Sequence, residues 1–473
     1  MTTYTMSALR GCAAALALLV TAGGLRAQQM GADTALRADT AMMQESGPPA
    51  RRVTLDQAVT IAMQNNPALT QSRASLDQAR YNRLAAYGNF LPSISAGYGY
   101  SNSSSARLDV TQQSLTRTSY SFQLSGSYDL FTGLRRFSQM KSANLNVEAQ
   151  QDAYRQSRYQ TLFDVKTAYF NAVANRDLVA VQAATVQRQL NQLNFVRQQL
   201  QLGRSTRSDL LSSEVNLNNA KLALLNAQNS ARASTFQLAQ ALGVDQRVAP
   251  VAGATLEIHT LSYDRQQLQS IAQSQAPSVQ SARASYQSAQ AQVSSAKSAY
   301  LPNLTFSGGW AWQNTDFPPE NRSWSIRLTG SIPLFNGFQR ESQLFQAQAQ
   351  ADAAQAQERS AELALRTNID NAYNQVQTAI SGGDLAQKSV ELSQENLRVT
   401  QERYRLGLAT ILDLQQAQIN LQQAQVNLVQ RKFDYQLGLA QLEALLGEPL
   451  PQAAGDAGSN ASNGSRVMEK DGQ

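Results

Sequence analysis

The sequence predicts a mainly α fold with a small β part, built from a duplicated helix-strand-strand-helix unit. Three observations carry this. The 473 residues include 59 glutamines among abundant alanine and leucine, interrupted by only 12 prolines and 26 glycines, a composition that favours long helices over a loop-rich enzyme. Residues 139–202 and 339–405 run without proline and almost without glycine. The chain also repeats itself, and a long-period duplication governs the whole fold. Asn66-Pro67 matches Ala276-Pro277, and Phe90-Leu91-Pro92 matches Tyr300-Leu301-Pro302, both at an offset of 210 residues. Asp129 to Gly133 matches Pro333 to Gly337, Gly203 matches Gly407, and Leu242-Gly243 matches Leu446-Gly447, all at 204.

Composition removes most site chemistry. One histidine and one cysteine cannot supply a His/Cys metal cluster, a Cys-His pair or a disulfide framework, so the sequence reads as a non-enzyme without metal or cofactor. The formal charge of +6 comes with no basic run and no aromatic-interleaved Lys/Arg stripe, so nucleic acid is not an expected partner.

The amino terminus reads as an address. Arg10 precedes an apolar run from Cys12 to Ala22, followed by Leu25-Arg26-Ala27, which predicts a cleaved secretory signal over 1–27. Cys12 sits at the start of the apolar run and not after it, the wrong side for a lipid-acceptor cysteine, so lipidation is not expected. No later stretch holds 18 consecutive apolar residues, so an exported chain is either soluble outside the cytoplasm or inserted as a β-barrel. Residues 28–52 and 451–473 lack periodicity and read as disordered segments.

Between them lie a first repeat over 53–243, a linker over 244–264 and a second repeat over 265–450. The linker carries the lone histidine, His259, which reads as solvated or structural. Strands are predicted at about 93–101 and 120–130, then at about 303–313 and 323–332. In each, apolar residues alternate with mostly small or polar ones, as Leu304, Phe306, Trp310 and Trp312 do with Thr305, Ser307, Gly309 and Ala311, and the polar faces include Asp129 and Arg327. Tyr98, Tyr100, Tyr120, Phe122, Trp310, Trp312 and Trp324 read as membrane-interface aromatics, because such residues form girdles near strand ends. A half-buried soluble sheet packed on helices shows the same alternation. Four strands cannot close a membrane barrel and an open edge is not tolerated in hydrocarbon, so several chains would have to share one.

Each long helix would reach roughly 100 Å. In the last helix Leu414, Ala417, Leu421, Ala424 and Leu428 form one stripe, and Leu412, Ile419, Val426 and Phe433 a second. Two stripes suggest neighbours on both sides, as in a rolled sheet of helices, with the Gln, Asn and Ser rows facing water. A trimeric coiled-coil surface fibre or adhesin is the alternative. The hairpin tips lie near 203–206 and 407–410. There each glycine suits a left-handed helix end, and Thr206 with Asp209, and Thr410 with Asp413, suit capping boxes.

The duplicated order, the Phe90-Leu91-Pro92 and Tyr300-Leu301-Pro302 junctions, the Leu334-Phe335-Asn336-Gly337 exit and the tips Gln201 to Thr206 and Arg405 to Thr410 resemble the TolC family of outer-membrane efflux and secretion channels. The resemblance spans about Val53 to Leu450. It implies a homotrimer in which a long α-helical barrel carries a shared 12-stranded β-barrel, located in the cell outer membrane and extending into the periplasm. It implies outer-membrane lipid, a periplasmic membrane-fusion adaptor and an inner-membrane pump of RND, ABC or MFS type as partners, and passive export of small toxic compounds or secreted polypeptides as the function. By the same resemblance Leu202, Gly203, Thr206, Leu406, Gly407, Leu408 and Thr410 would form the adaptor-contacting tip. Asp413 would contribute to an acidic entrance ring, and Tyr404 and Asp209 would bridge neighbouring helices to keep it shut. The family's second acidic position is Gln416 here, and an arginine of a second bridge is Ala409, which implies a less anionic and less tightly latched entrance.

Overall fold

The computed structural model describes residues 50–109 and 114–450. The expected signal, most of the expected disordered segment 28–52 and the tail 451–473 lie outside the described residues. Strand β1 (Arg51–Val53) leads into α1 (Leu55–Asn65). Thr54 caps α1: its hydroxyl accepts the Gln57 N–H at 3.3 Å, and Gln57 Oε1 accepts the Thr54 N–H at 3.1 Å, so two orphan donors of the helix start are satisfied reciprocally. Pro67 opens α2 (Pro67–Gly88), a first-turn position where its missing N–H costs nothing. The second repeat rebuilds this pair as α5 (Arg265–Gln275) and α6 (Pro277–Lys297).

Helices α3 (Arg135–Gln201) and α7 (Gln339–Arg405) have 67 residues each, about 100 Å of rod. Helix α3 starts four residues before the expected 139. Helices α4 (Arg207–Leu242) and α8 (Ile411–Leu446) run back along them. The shorter helices stack end to end beside the long ones. Gly243, with φ of +69°, ends α4 so close to the α1–α2 junction that an added Cβ would lie 2.4 Å from the Asn65 carbonyl, and Asn66 Nδ2 donates to the Ala241 carbonyl at 2.9 Å.

Two apolar cores sit against the middles of the rods. Val53, Ala58, Val165, Tyr169, Leu238 and Leu242 form one; Leu268, Ala272, Ile369, Tyr435, Leu442 and Leu446 form the other. One expectation is corrected here. Strand β4 (Val248–Pro250) lies inside the expected linker and pairs in parallel with Arg51–Val53, so Arg51 and Arg52 belong to the fold and not to a disordered segment. A three-residue strand shows no periodicity, and its partner is remote in sequence, so nothing local announces it. Leu256, also in the linker, is buried in the first core.

The second sheet is antiparallel with order β2-β3-β5-β6, from β2 (Ser93–Asp109), β3 (Ser114–Thr132), β5 (Asn303–Asn314) and β6 (Asn321–Ser331). The first hairpin is much longer than the apolar alternation predicts. Backbone pairing continues past a register shift between Asn102 and Arg107, because ladder hydrogen bonds persist where no face has to be apolar.

Candidate functional site: the channel wall

The register sorts the sheet into two faces. Across one run the rows Tyr98–Phe122–Trp312, Leu124–Trp310–Trp324 and Tyr128–Phe306–Leu328. The other carries Ser95–Ser125–Gly309–Ser325 and Ser93–Ser127–Ser307–Arg327, with Ser95 and Ser125 hydroxyls 2.8 Å apart and Ser93 and Ser127 also 2.8 Å apart. Residues directly opposite share a face, so the strand alternation becomes one continuous apolar surface and one hydroxyl-rich surface.

All seven expected interface aromatics lie on the apolar face within three adjacent rows near the hairpin ends. Tyr100 packs on Tyr120 with ring centroids 5.1 Å apart, and Phe122 on Trp312 at 5.3 Å. A second aromatic level, which the sequence reading missed, lies at the strand-helix junctions. It comprises exposed Phe131, Phe137, Phe335 and Phe338. From Phe122 to Phe131 the strand rises roughly 30 Å, which at barrel tilt gives about 23 Å of height, close to the apolar band of an outer-membrane barrel.

The junctions are built alike in both repeats. Gly133-Leu134 and Gly337-Phe338 are consecutive left-handed residues, with φ between +60° and +67°, and turn the chain from strand to rod. Two residues on, Arg136 lies over the Phe90 ring at 5.1 Å and donates to the Asn89 carbonyl at 3.2 Å. Arg340 lies over Tyr300 at 4.8 Å and donates to the Leu334 carbonyl at 3.1 Å. These arginines also escaped the sequence reading. Their signal was an arginine pair at the 204 offset, three residues after each junction glycine.

At the opposite end of the rods both tips are Schellman turns. Gly203 (φ +70°) donates to Leu200 O and Arg204 N–H to Gln199 O; Gly407 (φ +76°) donates to Tyr404 O and Leu408 N–H to Arg403 O. Glycine adopts this left-handed position without steric cost. The turns push Leu202, Leu406 and Leu408 into solvent. Thr206 and Asp209 form the first capping box: the Thr206 N–H donates to Asp209 Oδ2 at 3.0 Å and the Asp209 N–H to Thr206 Oγ1 at 3.1 Å. Thr410 and Asp413 repeat it at 2.9 and 3.2 Å.

The tip's charges follow from these bonds. The Thr206 N–H, assisted by the Thr206 and Ser205 hydroxyls, holds the Asp209 carboxyl below its ordinary value. The Thr410 N–H and hydroxyl, with the Arg403 charge, do the same for exposed Asp413. Tyr404 packs against Phe195 with centroids 5.8 Å apart. Burial, then the nearby Asp209 charge, raises its hydroxyl pKa. Among the described residues no hydrogen bond joins Tyr404 to Asp209, whose Oδ2 is engaged by Thr206 and Ser205. Gln416 donates to Asn420 Oδ1 on the same helix at 2.9 Å.

The first stripe of α8 is buried at Leu414, Ala417, Leu421 and Ala424. The second is divided: Phe433 packs on the first core, while Leu412 and Ile419 stand 71% and 57% exposed. The expectation that the glutamine rows face water needs correcting at the α3–α8 seam. Gln418 is only 3% exposed, and it accepts from Gln189 at 2.9 Å. Gln422 donates to Gln182 at 3.2 Å. The amides therefore join the two repeats side by side.

At every level the chain is a ribbon of four elements with two open edges. The sheet ends at β2 and β6. The helices nearer the sheet pack in the order α2-α3-α6-α7, and those nearer the tips in the order α4-α3-α8-α7. The open helical edges carry exposed Tyr81 and Leu84 on α2, Leu211, Val215 and Leu222 on α4, and Leu385, Leu392 and Val399 on α7.

A lipid-matched sheet face backed by a hydroxyl face, on a helical rod of this length, defines a wall segment of an outer-membrane channel. The family model described as outer membrane efflux protein matches residues 58–244 and 268–448. The outer membrane efflux protein BepC of Brucella suis is 23% identical over 339 residues, covering 71% of this chain and 72% of that protein. Protein CyaE of Bordetella pertussis is 25% identical over 396 residues, covering 78% and 81%. The outer membrane protein VceC of Vibrio cholerae superposes with a TM-score of 0.73 at 20% identity, covering 84% of this chain and 96% of that one. The chain belongs to the outer membrane efflux protein family, as a TolC-type outer-membrane exit duct.

Proposed function

We propose that three copies of this chain close into one duct, with a 12-stranded β-barrel in the outer membrane on a helical cylinder in the periplasm. The duct passively conducts small toxic compounds or secreted polypeptides, handed over by an inner-membrane pump through a membrane-fusion adaptor. The observation that carries this is the four-element ribbon with open edges at every level. An unpaired strand edge leaves backbone groups unsatisfied in lipid, and the apolar helix edges gain by burial against the next copy. Two copies would give eight strands, an interior just wide enough to be filled by side chains; three leave a lumen.

In this reading the hydroxyl-rich face lines the lumen and the seven aromatics sit at the outer interface. Leu202, Gly203, Thr206, Leu406, Gly407, Leu408 and Thr410 meet the adaptor. Native mass spectrometry of the detergent-extracted protein is expected to give three chains. Leu211 lies eight residues after Gly203 and Val399 eight before Gly407, so oxidised L211C/V399C protein should run as a covalent trimer. A monomer or dimer mass, with only intrachain linkage, would sink the proposal.

Asp413 in three copies supplies an acidic entrance ring, with Tyr404 and Asp209 as the residues that hold it shut. Asp413→Asn is expected to bring the cation-to-anion permeability ratio in planar bilayers toward one. Because the Thr410 N–H and hydroxyl hold the Asp413 carboxyl below its ordinary value, wild-type cation preference should persist at mildly acidic pH and fade only as pH falls through the carboxylate range. An unchanged ratio in the variant removes Asp413 from the role.

A further inference from the structure

Between its two aromatic levels the hydroxyl face of the sheet carries one long cation among the described residues, Arg117 lying beyond the outer level on β3. Between the two aromatic levels its described residues are Ser, Thr, Gly, Gln and Ala, with Asp129 and Arg327 as the charged exceptions. Asp129 is short, and Thr305 Oγ1 donates to it at 2.8 Å, holding it to the wall. Arg327 lies opposite Ser307, between Ser325 and Thr329 on its own strand. It is exposed, and no salt bridge engages it among the described residues.

We propose that Arg327, in three copies, forms a positively charged ring that is the charge filter of the β-barrel and favours anionic solutes. This rests on the three-copy duct proposed above. Twelve strands at the usual spacing and tilt give a barrel of roughly 12 Å radius. A guanidinium on a three-carbon stem reaches about half-way to the axis, whereas the neighbouring Ser, Thr and Gly side chains barely leave the wall. Arg327 therefore sets the narrowest level of the barrel between the two aromatic levels. Screening acts over about 8 Å at physiological ionic strength, so the three charges cover the whole cross-section. The entrance ring at the other end of a rod of about 100 Å lies many screening lengths away. The duct thus carries two independent charge filters of opposite sign, and solutes bearing carboxylate, phosphate or sulfate groups are drawn through the outer one.

The test is single-channel recording with hexacyanoferrate(II), a tetravalent anion, added to the extracellular side. Wild-type channels should be blocked, with at least about tenfold weaker block in Arg327→Gln, given the Coulomb energy of a multivalent anion among three nearby charges. Arg327→Lys should retain most of the block. Arg327→Glu should instead be blocked by hexaamminecobalt(III). Asp413→Asn should leave outer-side block unchanged. Equal block of wild type and Arg327→Gln, with both showing a three-chain mass, overturns the arginine ring alone. A mass other than three chains overturns the assembly and the ring with it.

Discussion

Lys166→Met, with Glu443 left in place, is expected to destabilise the folded chain by about 3–5 kcal/mol. Lys166 on α3 and Glu443 on α8 form an ion pair between the two repeats, with side chains 18% and 9% exposed. Glu443 is flanked by Leu442 and Leu446, both fully buried. Removing the ammonium strands a carboxylate where water reaches poorly, and the cost is the desolvation of that unpaired charge. Glu443→Leu should cost a similar amount through the stranded lysine. The double variant K166M/E443L should recover most of the loss, because replacing a buried pair by apolar groups of similar size is close to neutral. Urea unfolding of the detergent-solubilised protein, followed by helical circular dichroism, reads all three. A double variant as unstable as the singles would show that the pair is not the source of the effect.

Arginine placed at Ile326 should cost about 2–4 kcal/mol of membrane-inserted stability, whereas arginine at Ser325 should cost little. The two positions are adjacent on β6. Ile326 lies opposite Gly308 on the apolar face, and Ser325 opposite Gly309 on the hydroxyl face. Ile326→Arg puts a charge in hydrocarbon between the two aromatic levels, while Ser325→Arg puts it in the watered lumen beside the native Arg327. Folding yield into lipid vesicles at graded urea separates them. Equal costs would mean that the sheet does not present these faces to lipid and water, and would return the soluble-sheet reading to favour.

Much of this wall is legible in one sequence because its rules are periodic. A period of two sets the sheet faces, so Trp310, Trp312 and Trp324 and the small polar residues between them declare their sides before any strand is paired. The absence of proline from 139–202 and 339–405 declares the rods. Gly203 and Gly407, followed by Thr206–Asp209 and Thr410–Asp413, declare the tips, because helix ends have orphan backbone groups that only a few residue types satisfy. The duplication multiplies each signal by showing it twice.

What escaped has no period or depends on partners far along the chain. Strand β4 is three residues long and pairs with β1 across the whole first repeat. The Lys166–Glu443 pair has no counterpart at the 204 offset, where Asp370 and Ala239 stand instead, so the repeat that reveals the fold hides this contact. The lower aromatic level at Phe131, Phe137, Phe335 and Phe338 falls where strand alternation stops and helix periodicity has not begun.

The sequence by itself determined the rods, the tips and the apolar stretches of the four long strands: their kind and order, and which face of each strand is apolar. These follow from backbone sterics and local hydrogen bonding, which act within a few residues. Tertiary structure alone decided which faces meet. It placed Gln182, Gln189, Gln418 and Gln422 in a seam between the repeats, where composition assigned such residues to water. It also brought Arg327 onto a wall with no long neighbour, and left an apolar edge open on each side of the ribbon. An amide or a guanidinium is polar wherever it stands, and only the neighbours that the fold supplies decide whether it binds another chain segment, water or a passing ion.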